Sequence, residues 1–144
     1  MIQFRFLFSF LVFTFGFLTG PATAQVEVQI IGYPFPPFVV DKANGLTQRF
    51  AELLNGAQSE FRFTFSLTSP NRRYREFTLG TGDLVLFEMP DWGWKTNGIA
   101  FEATRRMFTG GEIFIARATQ GRDQVYFDDL SSKRIVAHSG YHYG

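Results

Sequence analysis

The stretch VEVQIIGYPFPPFVV, residues 26–40, decides how the rest of the chain is read. Val26, Val28 and Ile30 alternate with Glu27 and Gln29, and Ile31 adds a second apolar residue. That pattern describes a β-strand with one wet face at its start and two enclosed faces at its end. The strand then meets Gly32-Tyr33-Pro34-Phe35-Pro36-Pro37-Phe38. Proline has no N–H for a sheet ladder, so this aromatic, proline-stiffened segment reads as a loop at the strand's carboxyl end.

Downstream, residues 41–45 read as a turn. Leu46, Phe50, Leu53, Leu54 and Ala57 then follow at helical spacing, with Asn55-Gly56 expected to close the helix through a left-handed cap. Phe61, Phe63, Phe65 and Leu67 alternate with Arg62, Thr64 and Ser66, a second strand with one apolar face. Ser69-Pro70 supplies an N-cap and first-turn pair for a short helix whose apolar side is Tyr74, Phe77 and Leu79. The arginines at 72, 73 and 75, beside Glu76, read as its solvated face. Gly80-Thr81-Gly82 ends that helix, and residues 83–87 form a third short strand. Strand, helix, strand, helix, strand is the order of an α/β layer with a mostly parallel sheet.

Residues 88–98 form a long loop with Trp92 and Trp94, and Ile99-Ala100-Phe101 returns to apolar residues. Residues 112–117 read as another strand, 119–123 as a polar linker, and 134–137 as a last short strand before His138-Ser139-Gly140-Tyr141-His142-Tyr143-Gly144. This tail looks like the opening of a second α/β unit, so the chain is expected to stop within a domain. No internal repeat is present.

The N-terminus carries Arg5, an apolar run over residues 6–18, a Gly20-Pro21 break and Ala22-Thr23-Ala24. This is the order of a secretory signal cleaved between Ala24 and Gln25. The apolar run is shorter than the roughly 20 residues that span a bilayer, so no membrane insertion is expected after cleavage. Of the 14 basic and 13 acidic residues only Arg5 lies in the signal, which leaves the mature chain balanced. Such a balance gives no reason to expect nucleic acid or an anionic membrane as partner. The chain has no cysteine, which excludes disulfides and thiolate chemistry and suits a bacterial periplasm.

In open α/β sheets ligands bind outside the carboxyl ends of the strands. The loop 33–38 and the loop 88–95 both follow predicted strands, so they should share one edge. Together they offer Tyr33, Phe35, Phe38, Trp92 and Trp94, with Glu88, Asp91 and Lys95 among them. Aromatic walls with a few placed polar groups are the usual make-up of a small-molecule site.

In their order, these segments resemble the extracellular solute-binding proteins of family 3, the periplasmic proteins that serve polar amino acid uptake. The matching pieces are Gly32-Tyr33-Pro34-Phe35-Pro36-Pro37-Phe38, Asn44-Gly45-Leu46, Gly82-Asp83, Ile99-Ala100-Phe101, residues 129–136 and Gly140-Tyr141-His142-Tyr143-Gly144. The resemblance implies a type II periplasmic binding protein-like fold, in which two α/β lobes close over a ligand. Residues 25–118 would be lobe one, and residues 119–144 the hinge and a truncated start of lobe two. Tyr33 would then stack on the ligand, and Glu88 would begin the ligand contacts after the third strand. Lys95 stands where the family has a carboxylate-binding arginine, and Met89 to Trp94 replace its hydroxyl-rich run. A lysine offers a point charge without the arginine fork. Gly140 to Gly144 would lead into a helix whose amides hold an anionic group.

The expected function is an exported, monomeric, periplasmic protein that binds a small polar solute, anionic or amino acid-like, for a membrane transporter permease. The ligand-binding residues would be Tyr33, Phe38, Glu88, Trp92, Trp94 and Lys95. Alternatives are a non-functional truncated remnant, a periplasmic sensor, or a dehydratase on the same fold. Catalysis has little to stand on. His138 and His142 lie in a Gly/Tyr-rich turn without an HExxH context, Ser139 is outside a G-x-S-x-G elbow, and no phosphate loop is present. No metal or cofactor is expected.

Overall fold

The computed structural model describes residues 24–111 and 113–143. Residues 1–23 of the expected signal segment 1–24, position 112 and Gly144 therefore lie outside the described residues. Strand β1, Val26–Gly32, is the middle of a three-stranded parallel sheet with the order β2-β1-β3. It pairs along its whole length with β2, Phe61–Leu67, from Val26 opposite Phe61 to Gly32 opposite Leu67. Strand β3, Leu84–Val85, touches only its end, at Ile30 and Ile31. Three strands overlap there, which is why Ile30 and Ile31 are fully buried while Val26 stays exposed. The enclosure of β1 thus grows toward the carboxyl end, as its sequence suggests. Among the described residues no helix is long and apolar enough to cross a membrane.

Helix α1, Leu46–Ala57, joins β1 to β2 with its inner face rotated from the expected one: Phe50 and Leu54 stay half-buried, while Leu46, Leu53 and Ala57 are exposed. Thr47, Gln48 and Ala51 point inward, whereas Leu53 is 70 % exposed and Leu46 is 42 % exposed. The rotation is set at the first turn. There the N–H groups of Leu46 and Thr47 donate to the Pro37 and Phe38 carbonyls, and Gln48 Nε2 donates to the Asp41 carbonyl at 2.8 Å. These bonds tie the helix to the aromatic loop and turn its polar edge inward.

The helix also runs through Gly56, so the left-handed cap expected at Asn55-Gly56 does not form. Asn55 and Gln58 instead act on β2. Asn55 Nδ2 donates to the Phe63 carbonyl at 2.9 Å and its Oδ1 accepts the Phe63 N–H at 2.8 Å. Gln58 does the same at Phe61, at 2.8 and 2.7 Å. Two side-chain amides therefore mimic a neighbouring strand along the outer edge of β2, a way of blunting an edge against pairing with another chain. Replacing both by alanine is expected to cost about 1–3 kcal/mol, because each net hydrogen bond contributes about 1 kcal/mol and the freed edge groups regain water. Urea unfolding checks the cost. Light scattering should register increased self-association of the doubly substituted protein.

Helix α2, Arg72–Thr78, begins two residues past the expected start at Pro70, with Asn71 at its N-cap position, and Ser69 Oγ accepts the Arg72 N–H at 3.3 Å. Its end has paired bonds from Thr81 N–H to the Glu76 carbonyl and from Gly80 N–H to the Phe77 carbonyl, with Gly80 at φ 68°. That is the Schellman arrangement. Arg72 and Arg75 face water and Arg72 pairs with Glu76 at 2.7 Å. Arg73, however, is 1 % exposed, so the reading of the arginines as a solvated face fails at that residue. One hundred degrees of rotation per residue places Arg73 beside Tyr74 and one turn before Phe77, on the inner side. Leu79, expected on that side, is exposed.

Strand β3 is shorter than residues 83–87 because Phe87 adopts φ 60°, a strained conformation for a bulky residue. The turn brings the Phe87 ring against Phe38, at 4.8 Å between centroids, and redirects the chain at Glu88. The strands expected at 112–117 and 134–137 are absent among the described residues, and Ile113, Ile115 and Val136 are more than four-fifths exposed. Their alternation lacks a partner. The outer edge of β2 is occupied at residues 61 and 63, and β3 is only two residues long. After a turn at residues 119–122, a 3₁₀ turn, Gln124–Phe127, follows, capped by Asp123 Oδ1 accepting the Val125 N–H at 3.0 Å.

Candidate functional site

The loops after β1 and β3 meet at the carboxyl edge of the sheet, as their positions after parallel strands require. They form two layers. The inner layer is polar and closed, and its centre is Arg73. The guanidinium lies 4.6 Å from the Tyr33 ring centroid and 4.1 Å from that of Tyr74. Arg73 Nε donates to Glu88 Oε2 at 3.3 Å, Nη2 to the Tyr74 hydroxyl at 2.6 Å and to the Trp92 carbonyl at 3.3 Å, and Nη1 to the Pro70 carbonyl. Trp94 Nε1 donates to the same Glu88 oxygen at 2.7 Å, and its ring packs edge-on against Tyr74 and Phe77. Tyr33 and Trp94 are 5 % and 4 % exposed.

This arrangement satisfies the rule that a buried charge must be paired and hydrogen-bonded. Arg73 also links four segments: the loop after β1 through Tyr33, the start of α2 through Pro70, the chain after β3 through Glu88, and the tryptophan loop through the Trp92 carbonyl. Burial is the main cause that raises the Tyr33 pKa far above its ordinary value. The charge of Glu88 and a hydrogen bond to it act in the same direction, against Arg73. Burial raises Tyr74 as well.

The sign of the pH effect follows. A neutral Tyr33 keeps its proton in the folded protein at a pH where the unfolded chain has lost it. Its stabilisation is complete below the ordinary tyrosine value of about 10 and is lost as pH rises beyond it. Above that point stability should fall by up to about 1.4 kcal/mol per pH unit for this proton. Tyr33→Phe should flatten the decline, measured as urea midpoints between pH 9 and 11.

The outer layer is aromatic. Phe35 stacks on Tyr33 and Phe38 at 6.0 and 5.4 Å, and the Trp92 ring stands edge-on to Phe35 at 5.7 Å. Phe35, Phe38 and Trp92 are half-buried. Between the layers, a void bounded by Gly32, Tyr33, Phe38, Leu86 and Glu88 measures only about 10 Å³. It is at the limit for one water molecule. A solute therefore has no room between the layers.

The sequence-predicted residues divide accordingly. Tyr33, Glu88 and Trp94 come together in the inner layer, committed to Arg73 and to one another. Phe38 and Trp92 belong to the outer layer. Lys95 is exposed and pairs with Asp91 at 2.7 Å within the tryptophan loop. Arg73 and Tyr74 complete the site without having been expected there. The signal existed in the helical spacing of Arg73, Tyr74 and Phe77, but a charged residue beside two other arginines pointed to solvent. Among the described residues no cluster of three or more histidine, cysteine, aspartate or glutamate side chains could hold a metal ion.

Comparison with protein-family models, curated proteins and solved structures gives no match to this chain.

Proposed function

We propose that the chain is an exported solute-binding protein of the periplasmic binding protein type, which presents one aromatic wall to a small polar solute destined for a membrane transporter. The observation that carries this reading is the convergence of the loops at 33–38 and 88–95 on one edge of a parallel sheet, backed by the Arg73–Glu88 pair. A charged network that is closed off from the solute would serve to hold the wall in one shape, which lowers the ordering cost of binding. The solute stacks on Phe35, Phe38 and Trp92, over Tyr33. Lys95 exchanges Asp91 for an anionic group of the solute.

A thermal-shift screen of amino and organic acids on the chain from Gln25 tests the reading. A true ligand at about one hundred times its Kd should add about 2.7 kcal/mol of stability. No shift with any solute would contradict the reading. Because exposed ion pairs contribute about 1 kcal/mol at most, Lys95→Ala should weaken an acidic ligand several-fold, by calorimetric titration. Unchanged affinity would remove Lys95 from the site.

A further inference from the structure

The outer layer already carries an aromatic occupant from the chain itself. The Tyr141 ring stands edge-on to Tyr33 and to Phe35, at 5.7 and 5.4 Å between centroids, and its hydroxyl donates to the Pro34 carbonyl. His138 stacks on the other side at 4.4 Å, with Tyr143 further out at 6.4 Å. Edge-to-face rings at these separations are favourable pairs. The Pro34 carbonyl is the polar feature of this shelf that the ring meets, and it lies where a para hydroxyl arrives.

The seat for this segment is shaped. A Cβ on Gly140 would stand 2.8 Å from Pro70 Cβ, and one on Gly93 would stand 2.6 Å from the Tyr74 hydroxyl and 2.7 Å from His142 Nε2. Both glycines have positive φ, so both the space and the backbone require glycine. His142 Nε2 lies 2.9 Å from the Tyr74 hydroxyl. That hydroxyl donates to the Trp92 carbonyl at 2.6 Å and accepts from Arg73, so His142 must be the donor in its bond. Upstream, residues 134–139 are exposed. The contacts that seat the tail thus come from Gly140, Tyr141 and His142.

We propose that the shelf formed by Tyr33, Phe35 and the Pro34 carbonyl is a subsite for a phenolic ring, and that Tyr141 is its intramolecular occupant, displaced when a solute carrying such a ring binds. This inference rests on the reading of the aromatic wall as a solute site and narrows the solute to one with an aromatic ring bearing a hydroxyl donor. A tethered ring competes at an effective concentration in the millimolar range, so free solute binds the intact protein weakly. A solute ring without the hydroxyl leaves the Pro34 carbonyl unpaired, and sites built to bond a hydroxyl discriminate strongly against its loss.

The test uses N-acetyltyrosinamide and N-acetylphenylalaninamide, two neutral probes that differ only in the hydroxyl. Calorimetric titration of the chain from Gln25 is expected to show that Tyr141→Ala binds the tyrosine probe at least tenfold more tightly than the unsubstituted protein. It should also prefer the tyrosine probe to the phenylalanine probe by about tenfold. Tyr141→Phe keeps the ring and should fold normally while losing the hydroxyl anchor, so its affinity for the tyrosine probe should fall between the other two. Equal affinity of all three proteins for the tyrosine probe, or no preference for the hydroxyl, would overturn the inference. If the thermal-shift screen nevertheless finds a solute, the solute-binding reading stands and the phenolic subsite alone fails. If the variants gain the tyrosine probe while no solute binds the unsubstituted protein, the subsite stands and the transport reading fails.

Discussion

Arg73→Ala is expected to destabilise the protein by about 3–5 kcal/mol at neutral pH, the cost of leaving one member of a buried ion pair without the other. Glu88 would keep the neutral Trp94 indole and Tyr33 hydroxyl as hydrogen-bond donors but lose its only paired cation, with its side chain 11 % exposed. Total stabilities of small domains are about 5–15 kcal/mol, so the loss is a large fraction of the whole. The effect comes from the orphaned carboxylate, which makes a specific corollary. Adding Glu88→Gln to Arg73→Met should recover much of the loss, since an apolar side chain of similar length opposite a neutral amide removes the unpaired charge. Urea unfolding of the single and double variants gives the comparison. Additive losses would show that Arg73 acts through packing alone.

Trp94→Ala is expected to cost about 3–5 kcal/mol, the range for removing a buried large aromatic side chain. It removes ring contacts with Tyr74, Phe77 and Phe101 and deletes the indole donor to Glu88. Trp94→Phe separates the two contributions. It keeps an aromatic ring and loses the hydrogen bond, so about 1–3 kcal/mol of the loss should remain. Trp92→Ala, by contrast, should be mild in stability, because its ring is half-buried and its backbone carbonyl, which takes the bonds from Tyr74 and Arg73, is unchanged. Two tryptophans two residues apart therefore have separable roles: one holds the inner layer together and the other forms the surface of the wall.

The sheet was legible in the sequence because its period is strict. The alternation of Val26, Val28 and Ile30, and of Phe61, Phe63 and Phe65, marks two strands, and the helical spacings between and after them force parallel pairing. The shared edge of the two loops followed from that topology alone. What escaped was whatever depends on bonds between distant residues. The inward face of α1 is fixed by the Pro37, Phe38 and Asp41 carbonyls, which bring Thr47 and Gln48 inward and leave Leu46 and Leu53 exposed. The burial of Arg73 depends on Glu88, fifteen residues away, and no spacing encodes that pair. Alternation at 113–117 and 134–137 describes faces that could pack, yet a strand also needs a free edge. Asn55 and Gln58 occupy part of the one nearest to hand.

The arrangement also explains why the aromatic, proline-rich loop sits where it does. Phe35 is held at its own loop by hydrogen bonds with Val39 in both directions, at 2.8 and 3.0 Å, so its ring is displayed from a closed turn. Beneath it Tyr33 rests on the Arg73 guanidinium. Under the proposed solute-binding reading, this rigid aromatic surface over a satisfied ionic layer would stack a flat or apolar portion of the solute, with Lys95 and the Pro34 carbonyl as the polar contacts at its rim.

The most direct measurement is the pattern of amide and aromatic NMR shift changes on adding the tightest solute from the thermal-shift screen to the labelled chain from Gln25. Changes concentrated at Tyr33, Phe35, Phe38, Trp92, Lys95 and Tyr141 are the expected result. Changes concentrated instead at the open recess around Thr119 to Tyr126, or none above those of an unrelated solute, would contradict a binding wall at the carboxyl edge of the sheet.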